Sequence, residues 1–85
     1  MINSFDPSFR QIVFKDFDES STASSRFTFI EDLMKTHSIR YNFIDHFYTG
    51  PSNNRKISRK SYVEFSSADA AKHAMLALGG KNTKF

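Results

Sequence analysis

The sequence lacks cysteine and tryptophan altogether, and its 85 residues include only two prolines and three glycines. Without cysteine, no disulfide or thiolate metal site can form, and cysteine usage assigns no redox compartment. Long apolar runs are also missing, since neither the opening MINSFDPSFR nor any later stretch resembles a signal peptide or a membrane span. We therefore expect a nuclear or cytoplasmic protein that does not contact a membrane.

The chain is rich in phenylalanine, with ten Phe and three Tyr, although apolar residues make up only 39% of it. A chain of this size buries about 60–65% of its unfolded surface and has room for one core. Large aromatic side chains supply much of the area that such a core needs. We therefore predict a single domain over residues 1–85.

The net charge of +3 is unevenly distributed along the chain. Residues 1–34 carry three basic and six acidic side chains, whereas residues 35–85 carry nine basic and three acidic ones. Four of the basic residues fall close together, at Arg55, Lys56, Arg59 and Lys60. This cluster is compatible with a polyanionic partner, although the solvated tip of a hairpin has the same composition.

Hydrophobic periodicity predicts three strands and two helices. The predicted strands are Gln11–Phe17, Ser38–Tyr48 and Lys60–Phe65, and the predicted helices are Arg26–Thr36 and Ser67–Leu78. Thr22, Ser24 and Ser25 are candidate N-caps of the first helix, and Ser67 is the candidate for the second. The strongest turn signal is the segment Thr49–Asn54, TGPSNN.

The same periodicity separates buried from exposed faces. On the first helix, a stripe of Phe27, Ile30, Leu33 and Met34 is predicted to cover the core, with Phe29 off the stripe and partly exposed. On the last strand, Ser61, Val63 and Phe65 lie on one face, and Lys60, Tyr62 and Glu64 on the other.

The order β-α-β-β-α predicts an α+β, ferredoxin-like sandwich with an antiparallel sheet and both helices on one face. The body of the domain spans residues 11–80, preceded by an extension over residues 1–10. Residues 81–85 are interpreted as the start of a truncated edge strand. The face without helices remains available for a ligand.

The segment Ser61–Gly80, SYVEFSSADAAKHAMLALGG, resembles the second half of an RNA-recognition motif (RRM). The shared features are an aromatic–valine–x–aromatic strand end, a helix with small and apolar residues at matching spacing, and a glycine corner. The strand sequence IVFKDF is similar to the hexamer motif of the family. The resemblance implies a non-catalytic module that binds single-stranded RNA on its sheet face.

The chain departs from the family at the positions on which bases stack. The resemblance places Val13 and Lys60 where the family usually has aromatics, and only Tyr62 keeps one. It implies that Tyr62 stacks a base, that Lys60 and Arg59 contact phosphates, and that Arg55 and Lys56 clamp the RNA backbone. Val13 and Lys15 complete this predicted site from the first strand. With fewer stacking aromatics, we expect weak RNA binding.

The fourth strand of the family, at the sheet edge beside the first strand, has no counterpart before Phe85. We expect the missing strand to be supplied elsewhere: by a longer C-terminus, by a second copy in a homodimer, by another protein, or by the segment around Phe5–Phe9. The alternative function is accordingly a protein-interaction module that uses the sheet face, the open edge or a helix face.

Other chemistry is poorly supported by the sequence. His37, His46 and His73 fall on three different elements, and no acid–base pairing accompanies Asp16, Asp18 and Glu19. The serines of Ser20–Ser25 are interpreted as a connecting loop and helix cap, with phosphorylation as the alternative. We predict no metal, no cofactor and no enzymatic activity.

Overall fold

A computed structural model of the protein describes residues 5–7 and 10–79. It contains four strands and two helices in the described ranges. In chain order these are β1 (Phe5–Pro7), β2 (Gln11–Phe14), α1 (Ala23–Thr36), β3 (Phe43–Thr49), β4 (Lys56–Glu64) and α2 (Ala68–Ala77). The predicted α+β class with an antiparallel sheet and two helices is confirmed.

The sheet has the strand order β1-β2-β4-β3, and every pairing is antiparallel. Gln11 to Phe14 of β2 pair with Glu64 to Ser61 of β4, so these two strands occupy the centre. On the outer side of β2, Phe5 pairs with Phe14 and Pro7 with Ile12. The N-terminal segment therefore supplies the edge strand beside β2, as one of the expected sources of the missing strand. The proposed strand start at 81–85 and the residue Phe9 lie outside the described residues.

The core lies between the two helices and one face of the sheet. Ile12 and Phe14 are alternate residues of β2 that point toward the helices, and Val63 of β4 is the direct partner of Ile12. All three are fully buried. The helices contribute Ile30, Met34, Ala71, Ala74 and Met75 to the same cluster. Because alternate strand residues point to opposite sides, the partners Val13 and Tyr62 face away from the core.

Helix α1 begins three residues earlier than the sequence predicts, because a capping box defines its start. The Thr22 hydroxyl accepts a hydrogen bond from the Ser25 backbone N–H, and the Ser25 hydroxyl accepts one from the Thr22 N–H, both at 3.0 Å. The predicted core stripe is wrong at Phe27, which is 39% exposed, whereas Ile30 and Met34 are buried. Arg26 is buried instead of Phe27.

The predicted strand Ser38–Tyr48 is wrong in its first part, since β3 begins only at Phe43. Ser38 has a positive φ of 56°, and the Ile39 N–H donates to the Met34 carbonyl at 2.8 Å, so the chain is still leaving α1 here. Ile39 and Tyr41 pack against the core from this connection. Their alternation with Phe43 therefore reflects burial in a connecting segment and not a strand.

The turn between β3 and β4 requires its glycine. Gly50 has φ of +94°, and a Cβ atom at this position would lie 2.8 Å from the Asn54 carbonyl oxygen. Both facts exclude an ordinary side chain. Helix α2 is as predicted at its start, where the Ser67 hydroxyl accepts from the Ala70 N–H at 3.1 Å.

Candidate functional site

The face of the sheet opposite the helices brings three strands together around Tyr62. Val13 of β2 and Asp45 of β3 are both direct partners of Tyr62 across the sheet. Lys60 lies two residues before Tyr62 on β4 and therefore on the same face. The structure thus places the predicted residues Val13, Lys60 and Tyr62 on one surface, which we call the open face.

An aromatic cluster, formed by Phe43, Phe47 and Tyr62, occupies this open face. The ring centroids of Phe43 and Tyr62 are 6.1 Å apart with planes at 76°, and those of Phe47 and Tyr62 are 5.0 Å apart at 42°. Phe43 is 47% exposed and Phe47 is 38% exposed. Large aromatics that remain this exposed beside one another are typical of a binding surface.

Phe43 and Phe47 are not among the site residues predicted from the sequence. The predicted strand Ser38–Tyr48 starts five residues before β3 does. With β3 beginning at Phe43, its alternate residues Phe43, Asp45 and Phe47 lie on the same face of the sheet as Tyr62. The alternation is present in FIDHF, but Ile39 and Tyr41, which precede it at the same period, pack against the core from the connecting segment. They therefore give no indication that Phe43 and Phe47 are exposed on the opposite face.

A groove of about 430 Å³ adjoins the aromatic cluster at its basic end. Its lining includes four of the seven predicted site residues, namely Val13, Lys15, Arg59 and Lys60. The other lining residues are Phe47, Thr49 and Ser58. Three of these carry positive charge, while the groove floor includes apolar side chains. A groove of this composition suits a ligand that has both a flat apolar part and an anionic part.

The basic residues of the groove are held differently. The Arg59 Nε–H donates to the Phe17 carbonyl at 2.9 Å, and the Phe17 N–H donates to the Arg59 carbonyl at 3.1 Å. Arg59 therefore joins β4 to the loop after β2. Lys60 is exposed and forms no ion pair within the described residues. The Lys60 side chain is accordingly freer than that of Arg59 to contact an anion.

Arg55 and Lys56 do not line the groove. The Arg55 guanidinium lies 5.0 Å from the ring centroid of Tyr48, and Lys56 pairs with Thr49 at the first position of β4. Both residues are exposed at the hairpin end of the molecule. Arg55 lies in the connection before β4, whereas Lys56 belongs to this strand, which begins four residues before the predicted start at Lys60.

Charge is graded along the open face. Glu64, at the end remote from the groove, accepts a hydrogen bond from Gln11 Nε2 at 3.0 Å and lies 3.4 Å from Arg10 Nε. In the middle, burial raises the pKa of the Tyr62 hydroxyl, and Asp45 and Glu64 raise it further. Tyr62 is therefore protonated at neutral pH and remains a hydrogen-bond donor. Among the described residues of the open face, those at the groove end, Lys15 and Lys60, favour an anionic ligand.

The ring of His46 lies on the side of the sheet opposite the open face and is half-buried. His46 Nδ1 is 2.8 Å from the Ser61 hydroxyl. Burial lowers the pKa of His46, and Arg26 lowers it as well, while Asp45 acts in the opposite direction. The neutral imidazole is thus favoured in the folded protein.

This lowered pKa makes stability depend on pH. The unfolded chain binds the proton of His46 first, so the stability contributed by neutral His46 is present above its unfolded pKa of about 6.5 and is lost as pH falls from there toward the folded pKa. We expect the urea concentration at the unfolding midpoint to decrease as the pH is lowered from about 7 to about 5. His46→Gln should flatten this dependence, and His73→Gln, at an exposed site on α2, should not. Equal slopes in both variants would contradict this assignment.

Other kinds of site find little support in the described part of the chain. No three histidine or acidic side chains in residues 5–7 and 10–79 lie close enough together to hold a metal ion. Neither α1 nor α2 is long and apolar enough to cross a membrane. Comparison with protein-family models, curated proteins and solved structures finds no match to this chain.

Proposed function

We propose that this protein is a non-catalytic RNA-binding module of the RRM type, which binds single-stranded RNA on the open face. The observation that carries this proposal is the aromatic cluster beside a basic groove: Phe43, Phe47 and Tyr62 next to Lys15 and Lys60. Single-stranded nucleic acids bind to such surfaces because bases stack on aromatic rings while phosphates contact cations.

The strand order supports the same proposal. The RRM arrangement places the strands in the order 4-1-3-2, and β2, β4 and β3 occupy the positions of its first, third and second strands. The N-terminal strand β1 then lies where the fourth strand of the family lies. The edge of the sheet beside β2 is thus covered by this chain itself. The strands β2 and β4, which carry Val13 and Tyr62 of the open face, are the two central strands.

The aromatic cluster also offsets the stacking positions that the chain lacks. Val13 and Lys60 stand where the family usually has aromatics, but Phe43 and Phe47 approach Tyr62 from the neighbouring strand. The stacking surface is therefore shifted toward β3 rather than lost. We expect binding with little discrimination among bases, because stacking is tolerant of base identity.

The proposal is tested by titrating short single-stranded RNAs at about 50 mM and about 200 mM salt, conditions between which a phosphate-dependent affinity changes measurably. Tyr62→Ala and Phe47→Ala should each weaken binding by about 1–3 kcal/mol, the usual contribution of one stacked base. Lys60→Ala should instead reduce the slope of log K against log salt by about 0.7, the value for one phosphate contact in a single strand.

A matched control is Lys72→Ala, which removes the same charge from an exposed position on α2, outside the groove. This variant should leave both the affinity and the salt slope close to those of the parent protein. Absence of RNA binding at low salt, or equal losses for Lys60→Ala and Lys72→Ala, would contradict binding on the open face.

A further prediction concerns Val13, which is half-buried on the open face across from Tyr62. Val13→Tyr adds an aromatic ring to the surface next to Tyr62, and we expect RNA binding to tighten by about 1 kcal/mol, at the low end for one stacked base. The fold should be kept, since the residue faces away from the helices. A loss of stability above about 2 kcal/mol would show that the site has no room for the larger ring.

We propose protein interaction as the second candidate function, because the outer edge of β3 has no partner strand among the described elements. This edge carries the exposed residues Phe43 and Tyr48. A partner chain adding a strand there would gain backbone hydrogen bonds and apolar contacts. Failure to bind RNA, combined with self-association that depends on protein concentration, would favour this function over the first.

A further inference from the structure

Arg26, in the first turn of α1, is a charged side chain in the interior of the domain. It is 1% exposed. Its Nε–H donates to the Ser21 hydroxyl at 2.8 Å, and one terminal nitrogen, Nη1, donates to the Ser58 carbonyl of β4. The guanidinium carbon lies 4.8 Å from the ring centroid of Phe17. Arg26 therefore connects the loop after β2, the helix and the strand that lines the groove.

The second terminal nitrogen of Arg26, Nη2, is buried and has no hydrogen-bond partner among the described residues. No carboxylate lies within ion-pair distance of the guanidinium in the described part of the chain. Burial lowers the pKa of this group below its ordinary value. A buried charge without a counter-ion is unfavourable, and such groups normally have an anionic partner.

Ser21 is the polar side chain that is best placed to become this partner. Its hydroxyl already accepts the Arg26 Nε–H and donates to the Asp18 carbonyl at 2.6 Å. Ser21 is half-buried, directly before the N-cap Thr22. A group attached to Ser21 Oγ thus begins within hydrogen-bond distance of the guanidinium while still meeting solvent.

We infer that Ser21 is a phosphorylation site whose phosphate serves as the counter-ion of Arg26. The guanidinium offers several N–H donors in one plane, which match two phosphate oxygens at once. In the modification, a serine/threonine kinase transfers the γ-phosphoryl group of ATP. The Ser21 Oγ–P bond forms as the bond from the γ-phosphorus to the β,γ-bridging oxygen breaks, ADP leaves, and the hydroxyl proton passes to the kinase base.

The neighbouring acidic residues oppose a phosphate but do not outweigh Arg26. The Asp18 carboxylate is directed to Ser20, accepting from its N–H at 2.9 Å and its hydroxyl at 2.8 Å. Asp18 and Glu19 are exposed, so their repulsion is screened by water and salt. The attraction to Arg26 acts in the interior, where screening is weaker.

The test uses the full 85-residue chain prepared by semisynthesis with phosphoserine at position 21 or, as the matched control, at the exposed position 20. Phosphorus NMR measures the second pKa of each phosphate, which is ordinarily about 6. Contact with Arg26 should lower the value at Ser21 by about one unit, as an opposite charge within a few ångströms does. The value at Ser20 should stay higher, and Arg26→Met should remove the difference.

Equal pKa values at the two positions of the parent chain would overturn the inference, and this comparison does not require that any variant folds. The enzymatic step is examined separately by incubating the unmodified chain with ATP, magnesium and a panel of serine/threonine kinases, followed by mass-spectrometric mapping. Phosphate on Ser21 is the expected result. Phosphate found only on Ser20, Ser24 or Ser25, or on no serine of the loop, would also overturn it. The inference does not depend on what the open face binds.

Discussion

Phe65→Ala should lower the free energy of unfolding by about 3–5 kcal/mol, the usual cost of truncating a buried phenylalanine. Phe65 follows β4, is fully buried, and donates its backbone N–H to the Arg10 carbonyl at 2.7 Å. Truncation leaves a cavity between the sheet and the helices. Because domains of this size have a total stability of about 5–10 kcal/mol, the loss removes a large fraction of it. Urea denaturation followed by circular dichroism measures the change.

The matched comparison for this loss is Leu76→Ala on α2. Leu76 is 69% exposed, so its truncation removes little buried area. Surface substitutions of this kind usually change stability by about 0.5 kcal/mol or less. A loss at Phe65 no larger than that at Leu76 would mean that the core is not organised around the end of β4.

The second large effect is expected at Arg26, and it depends on the replacement. Arg26→Met keeps most of the volume and removes the buried charge, so stability should be unchanged or higher. Arg26→Ala removes the charge and the volume together. We expect the alanine variant to be less stable than the methionine variant by about 2–5 kcal/mol, the cost of truncating a buried methionine.

The measurement is a pair of urea denaturation curves at the same pH, with the slope checked for equality between the variants. If methionine and alanine are equally destabilising, the loss comes from the hydrogen bonds to Ser21 and Ser58 rather than from packing. That outcome would contradict the assignment of Arg26 as an uncompensated charge, because removing such a charge is not expected to destabilise the domain.

The sequence predicts the class of this fold because local signals and burial agree at the central elements. Ile12, Val13 and Phe14 are all β-prone on β2, and the Ser67 cap and the alanine-rich run of α2 agree with each other. The length of β3 was overestimated because Ile39 and Tyr41 are apolar for a different reason, namely contact with the core from a connecting segment. Periodicity detects burial, not the element that achieves it.

The candidate site was predictable only in part, because its members were assigned by position along single strands. Tyr62, Lys60 and Val13 were predicted from the resemblance to the RRM motifs, each of which lies within a single strand. The position of Phe47 beside Tyr62 depends on the pairing of β3 with β4, and the register of this pairing shifts between His46 and Tyr48. Arg26 is not among the predicted site residues, since an arginine at the start of an amphipathic helix gives no sign that it is buried with no carboxylate near it in the described part of the chain.

The pairing of Gln11 with Glu64 has a consequence for how quickly the protein folds. The two central strands are neighbours in space but are separated by most of the chain. Joining them closes a loop of about 50 residues before any of its contacts stabilise it, and the entropy cost of closure rises with loop length. The β3–β4 hairpin and α1 need only local contacts. We therefore expect these local units to form early and the docking of β2 onto β4 to limit the folding rate.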